Sequence, residues 1–309
     1  MTSFGYSEVM LGIASDYQTA AEDGVSDAQY NLGVCLQNGW GTEIDLRLAA
    51  SWFRRAAVQG NPDAQNNLGW CCENGWDDID GSSALLAHES LVATFRHRYQ
   101  AKANEELEHH FDGTNKACER ATALKWYYEA ALQGHACAQY NVGRCFQKGI
   151  GMPQSLKEGV RWYTKSAAQG HPDGLYRLGL CVLEGWGISR VPTAAVVLFK
   201  RSAAQNHLES QNALGKCFRS GRGIPQDHEE AFRWFERSAK GGLVDAMNNL
   251  GQCWEQGCGC EVDFGLAHQW IQRAVEHGSI SAVNNLGRLF ERGCARGFAR
   301  TPPHGARLA

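Results

Sequence analysis

The dipeptide Leu32-Gly33 returns along this chain at a fixed interval. It stands again as Leu68-Gly69, Val142-Gly143, Leu178-Gly179, Leu214-Gly215, Leu250-Gly251 and Leu286-Gly287. Successive glycines lie 36, 74, 36, 36, 36 and 36 residues apart, and the long interval is one period plus 38 residues. A period of this size makes each unit one small supersecondary element. Such an element cannot bury both of its apolar faces, so the units must stack.

Each unit reads as two helices. The first starts near Asp27, with Asp63, Asp173 and Asp245 at matching places, where a carboxylate is expected to cap free N–H groups and meet the positive end of the helix dipole. Pro62 and Pro172 are expected to stop the helix before. The first helix ends at a Gly-x-Gly loop such as Gly39-Trp40-Gly41 or Gly221-Arg222-Gly223. In the second helix Ala49, Trp52, Phe53, Ala56 and Ala57 share a face. It closes at Gly60, matched by Gly134, Gly170, Gly242 and Gly278, with Asn206 once in their place; each is suited to a left-handed backbone. Gly33 and Ala57 are expected to let helix backbones approach, with Trp52 and Phe53 filling gaps between units.

The alternation A-x-x-x-L-G, G-x-G and A-x-x-W-[FY]-x-x-[AS]-A-x-x-G over 36 residues resembles the Sel-1-like repeat, a relative of the 34-residue tetratricopeptide repeat. The resemblance covers residues 11–294. It implies an all-α, right-handed α-solenoid of stacked helix pairs, with a concave face that binds other proteins, and a non-catalytic adaptor or scaffold role. Units start near 27, 63, 137, 173, 209, 245 and 281, and residues 1–26 read as the second half of a repeat. The 38-residue insert falls at about 76–113. In it Leu91, Phe95, Tyr99 and Leu107 recur at multiples of four, which predicts an amphipathic helix near 83–111. That insert reads as a partner-binding arm, a tolerated loop or a translated intron. Residues 295–309, with two adjacent prolines, are expected to be disordered.

The resemblance to tetratricopeptide repeats also points to the residue before each L-G as groove-facing: Asn31, Asn67, Asn141, Arg177, Asn249 and Asn285, with Ala213 in the series. Further groove positions are expected one helical turn on: Arg144, Lys148, Glu184, Lys216, Gln252 and Gln256. A ladder of amides can pair with the backbone of an extended peptide or bond the neighbouring unit, and both readings stand open.

Charge excludes little and motifs exclude more. A net charge of −3 and pI near 6.4 give no basic stripe for nucleic acid. No apolar run approaches the ~18 residues of a membrane helix. Residues 1–17 lack a basic n-region, so a cytoplasmic or nuclear location is expected. Neither a cofactor nor a small-molecule substrate is expected. The Gly-x-Gly loops lack the Lys-Ser/Thr of a phosphate cradle, and the eleven histidines are read as sharing no repeat position. Cys35, Cys71, Cys145, Cys181, Cys217 and Cys253 do share one, which the seventh unit fills with Leu289. Core packing is the expectation there. Some secreted bacterial members of the family staple each repeat with two cysteines, whereas most units here carry one, which points to a reducing compartment. Cys253, Cys258 and Cys260 form the alternative, a cysteine-based metal centre or enzyme, and a docking fragment of a larger signalling protein is the third reading.

Overall fold

A computed structural model describes residues 3–77 and 115–295. The helix expected near 83–111 lies outside them, and so does the tail beyond Ala295. Among the described residues there are fourteen helices and no strand. Helix α1 (Ser3–Glu22) is followed by α2 (Ser26–Asn38), α3 (Leu46–Val58), α4 (Pro62–Glu73) and α5 (Asn115–Leu132). Then come α6 (Ala136–Lys148), α7 (Leu156–Ala168), α8 (Pro172–Glu184), α9 (Pro192–Ala203) and α10 (Leu208–Ser220). The series ends with α11 (His228–Lys240), α12 (Val244–Gln256), α13 (Phe264–Glu276) and α14 (Ile280–Ala295). Even-numbered helices are the first of each pair and odd-numbered ones the second. The chain forms two compact units that divide between Gly174 and Leu175, with residues 186–188 belonging to the first.

Within a pair, the L-G glycine makes room for a ring. A Cβ on Gly33 would lie 2.6 Å from the Phe53 ring of its own pair, and one on Gly143 would lie 2.7 Å from Tyr163 and 3.1 Å from the Gly159 carbonyl. This corrects the expectation that Phe53 fills a gap between units: it fills the gap within its own. Trp162, at the place of Trp52, reaches the neighbouring pair instead. Trp162 packs edge-on against Tyr128 of the preceding pair at 5.5 Å, and only 2% of it is exposed.

In Gly151, Gly187, Gly223 and Gly259 the second glycine of the loop stands against the backbone of the preceding pair's second helix. Gly223 adopts φ +76°, and a Cβ there would meet the Pro192 carbonyl at 2.2 Å. Gly259 stands the same way on His228. These two loops thus rest on the first residue of the preceding pair's second helix, backbone on backbone, where only glycine fits. Trp76 belongs to this pattern too. Its N–H donates to the Cys71 carbonyl as Trp40 does to Cys35, and its ring lies 4.5 Å from Trp70. The repeat therefore continues through Trp76 before the insert begins.

Helix starts differ from the sequence expectation. Asp27, Asp63, Asp173 and Asp245 sit inside the first turn, not at the cap. Pro62 and Pro172 are first helical residues, where a missing N–H costs nothing, and they begin helices rather than stop them. Among the first helices, Asn61, His135, His171, His207 and Ser279 are side-chain caps, each accepting a first-turn N–H at 2.9–3.3 Å. Three histidines therefore share one repeat position, contrary to the sequence reading. Asn and His interchange here because each offers an acceptor to its own helix and a donor to the preceding pair. Asn61 Nδ2 donates to Asp27 Oδ1 at 3.0 Å, and His135 Nε2 lies 3.0 Å from Asp63 Oδ1.

Candidate protein-interaction surface

The first helices carry every residue that the sequence marked for the groove. Their buried side supplies Leu32, Leu68, Val142, Leu214 and Leu250 to the core, together with the repeated cysteines. Burial pushes the Cys71, Cys145 and Cys253 thiols up to about 12 and Cys181 to about 11, so these sulfurs are neutral packing groups. Leu289 is buried in the equivalent place.

Above this layer the asparagines form bonds between pairs. Asn141 Nδ2 donates to Asn66 Oδ1 at 2.9 Å, Asn249 to Asn212 at 2.8 Å and Asn285 to Asn248 at 2.8 Å. Asn67 hydrogen-bonds the Tyr30 side chain in the same sense. Each amide thus reaches back one repeat, to the residue next to the preceding ladder position. Asn31, at the head of the series, is half-buried.

The charged positions one turn on also pair across repeats. Arg144 forms a two-pronged contact with Glu73, with Nη1 to Oε1 at 2.7 Å, and Tyr127 donates to the same carboxylate at 3.1 Å. Burial alone would raise the Glu73 pKa. The Arg144 hydrogen bonds and charge, with the Tyr127 bond, outweigh it and hold the carboxyl below its usual range. Arg288 and Glu255 repeat this pair at 3.2 Å, two positions the sequence reading did not single out. Glu184 is held below its usual range by Arg222, which donates to both its oxygens at 3.1 and 3.0 Å. Arg177 lies over the Tyr176 ring at 5.7 Å, and Lys148 is exposed.

Sequence reasoning missed a second ladder. Gln29, Gln65 and Gln139 are buried and donate to the Ala21, Ala57 and Ala131 carbonyls at 3.1–3.2 Å. Each then accepts 2.8 Å bonds from Gln59, Gln133 and Gln169 of its own pair's second helix. The signal was present as glutamines 30 residues apart, obscured once by the insert. Gln211 continues the series, but Gly241 replaces its donor and its Oε1 is left buried without a partner.

Cys258 and Cys260 are half-buried. The Cys260 thiol donates to the Cys253 carbonyl at 3.5 Å, and burial pushes its pKa up to about 11. Among the described residues no group of three or more His, Cys, Asp or Glu side chains is placed to hold a metal ion. No described helix is long and apolar enough to cross a membrane.

Between α8 and α10 the first-helix face opens into a cavity of about 220 Å³. Tyr176, Leu180, Leu183, Ala213 and Cys217 line it, and the polar groups around it are Glu184, Glu209, Asn212, Lys216, Ser220 and Arg222.

Helix pairs joined by these ladders define a tandem-repeat protein of the α-solenoid class. The profile of the Sel1 repeat matches residues 26–61, 62–84, 109–135, 138–171, 172–207, 208–243 and 244–279, and the chain belongs to the Sel1 repeat family. Among solved structures it is similar to a Sel1 repeat protein from Oxalobacter formigenes, with a TM-score of 0.67 and 26% identity, covering 87% of this chain and 91% of that one. A protective antigen of uropathogenic Escherichia coli with an SLR fold gives a TM-score of 0.65 and 27% identity, covering 91% of this chain and 52% of that one. Among curated proteins it is 39% identical over 155 residues to DAP3-binding cell death enhancer 1 of Rattus norvegicus and 38% identical to the Mus musculus protein. Those matches span 47% of this chain and 28% of the relatives' length.

Proposed function

We propose that this chain is a non-catalytic interaction scaffold that binds a protein or peptide partner on the face formed by its first helices. The observation that carries the reading is the registered ladder on that face. Within each compact unit, amides and ion pairs lock successive pairs together, so the outward edges of the same helices are held at fixed spacing. A rigid, repeated surface lowers the entropy a partner loses on docking. Two acid–base pairs of the face are spent on each other, Glu73 with Arg144 and Glu184 with Arg222, and the buried thiols are held neutral. This favours binding over chemistry. The rodent relatives are named for binding DAP3, which makes a protein partner the natural class and DAP3 the first candidate. A cytoplasmic or nuclear setting goes with the reading, supported by free thiols at all ten described cysteines.

Calorimetric titration of the purified chain with purified DAP3 tests this. Lys148→Glu on the first-helix face is expected to weaken binding about tenfold, and Val197→Lys on an exposed second-helix position to leave it unchanged. The reverse pattern moves the surface to the second helices. Absence of saturable binding removes DAP3 as the partner.

A further inference from the structure

The amide ladder has one gap within the second compact unit, and the cavity lies at it. Asn249 and Asn285 reach back to Asn212 and Asn248, but the corresponding residue of α10 is Ala213, whose side chain ends at Cβ. The residue it would reach is Tyr176, held in place by the Phe199 and His207 rings at 6.0 and 5.2 Å. The cavity lies where the Ala213 side chain ends, and Leu180, Leu183 and the buried Cys217 line it with Ala213 and Tyr176.

We propose that this cavity takes one bulky apolar side chain of a bound acidic peptide segment, an anchor supplied by the partner where the repeat omits its own. The inference rests on the first-helix face being the binding face and names the point on it that selects the ligand. Size decides against a small-molecule site: about 220 Å³ falls below the roughly 300–1,000 Å³ of such pockets, and suits a single anchor residue. Chemistry decides the anchor's type, because the inner wall is the Tyr176 ring, two leucines, an alanine and a neutral thiol. Charge decides the flanks. Glu184 and Arg222 neutralise each other, and Glu209, a carboxylate 3.5 Å from His207 Nε2, stands seven residues before Lys216, about 10 Å up the same helix. Lys216 is exposed on the wall and has no ion-pair partner among the described residues, so it is the cation that an acidic residue beside the anchor meets.

The test is a ¹⁵N chemical-shift titration of the full chain with three pentapeptides: Ac-Gly-Asp-Phe-Asp-Gly-NH₂, the same with Ala for Phe, and the same with Lys for both Asp. The first is expected to shift amides within residues 176–222. The Ala and Lys peptides are expected to bind about tenfold more weakly. Ala213→Asn restores the residue that other repeats carry, so it keeps the fold while closing the gap, and it is expected to abolish the shifts. Lys216→Glu, a surface change, is expected to reverse the preference between Asp and Lys flanks. Equal binding of the Ala peptide, shifts centred elsewhere, unchanged binding to the Ala213→Asn protein, or no shifts at millimolar peptide each overturn the proposal. None of these results bears on DAP3 titration at Lys148, so the broader reading fails or stands separately.

Discussion

Glu73 shows how single residues on the first-helix face serve the stack. Its carboxylate receives Arg144 and Tyr127 from two different helices and is only partly exposed. Its folded pKa is depressed below the unfolded value of about 4.3. The contribution is therefore present above that value and lost as pH falls through the folded pKa. Glu73→Gln is expected to lower stability at pH 7 by about 1–2 kcal/mol, a figure reduced for the pair's partial exposure. The difference from wild type should begin to shrink below the unfolded value of about 4.3 and close as pH falls through the folded pKa, where wild type loses the same charge. Urea midpoints from pH 3 to pH 7 check this, and a gap that stays constant across the range contradicts it.

At the scale of elements, the glutamine ladder makes a prediction about its own defect. Gln211 Oε1 lacks a donor because Gly241 stands where Gln59, Gln133 and Gln169 stand in other pairs. The glycine has φ −72°, so backbone strain does not forbid a side chain there. A Cβ would instead meet the Leu208 side chain at 2.4 Å. Gly241→Gln alone is expected to gain little, because Leu208 must move. Paired with Leu208→Ala it should restore the buried bond, worth about 1 kcal/mol, so the double variant should exceed the sum of the singles. Denaturant midpoints of the four proteins in the cycle decide it, and strict additivity sinks the account.

For the whole molecule, stability is a chain of nearest-neighbour interfaces rather than one shared core. Trp162 tests this because its ring is buried against Tyr128 of the preceding pair, with the Lys165 ammonium 3.8 Å above it. Trp162→Ala is expected to cost about 3–5 kcal/mol at that interface. Hydrogen exchange should rise in α5 to α7 and stay unchanged in α12 to α14. A uniform rise along the chain would be the behaviour of a single cooperative domain instead.

The sequence by itself determined the repeat, its two-helix unit, the glycine-closed turns and the burial of the repeated cysteines. All of these follow from periodicity and local backbone chemistry, which one chain position at a time can express. What each position touches was decided only by the tertiary structure. Phe53 meets its own pair's Gly33, because the missing Cβ leaves room for a ring. First-helix caps fell to Asn61, His135, His171, His207 and Ser279, and for Asn61 and His135 the same side chain also reaches the preceding repeat's aspartate. Arg144 and the ladder asparagines read equally well as ligand contacts, because a hydrogen-bonding group does not announce its partner. Only stacking brought Asn66 beneath Asn141 and Asn212 beneath Asn249, and only stacking left Ala213 over an open space.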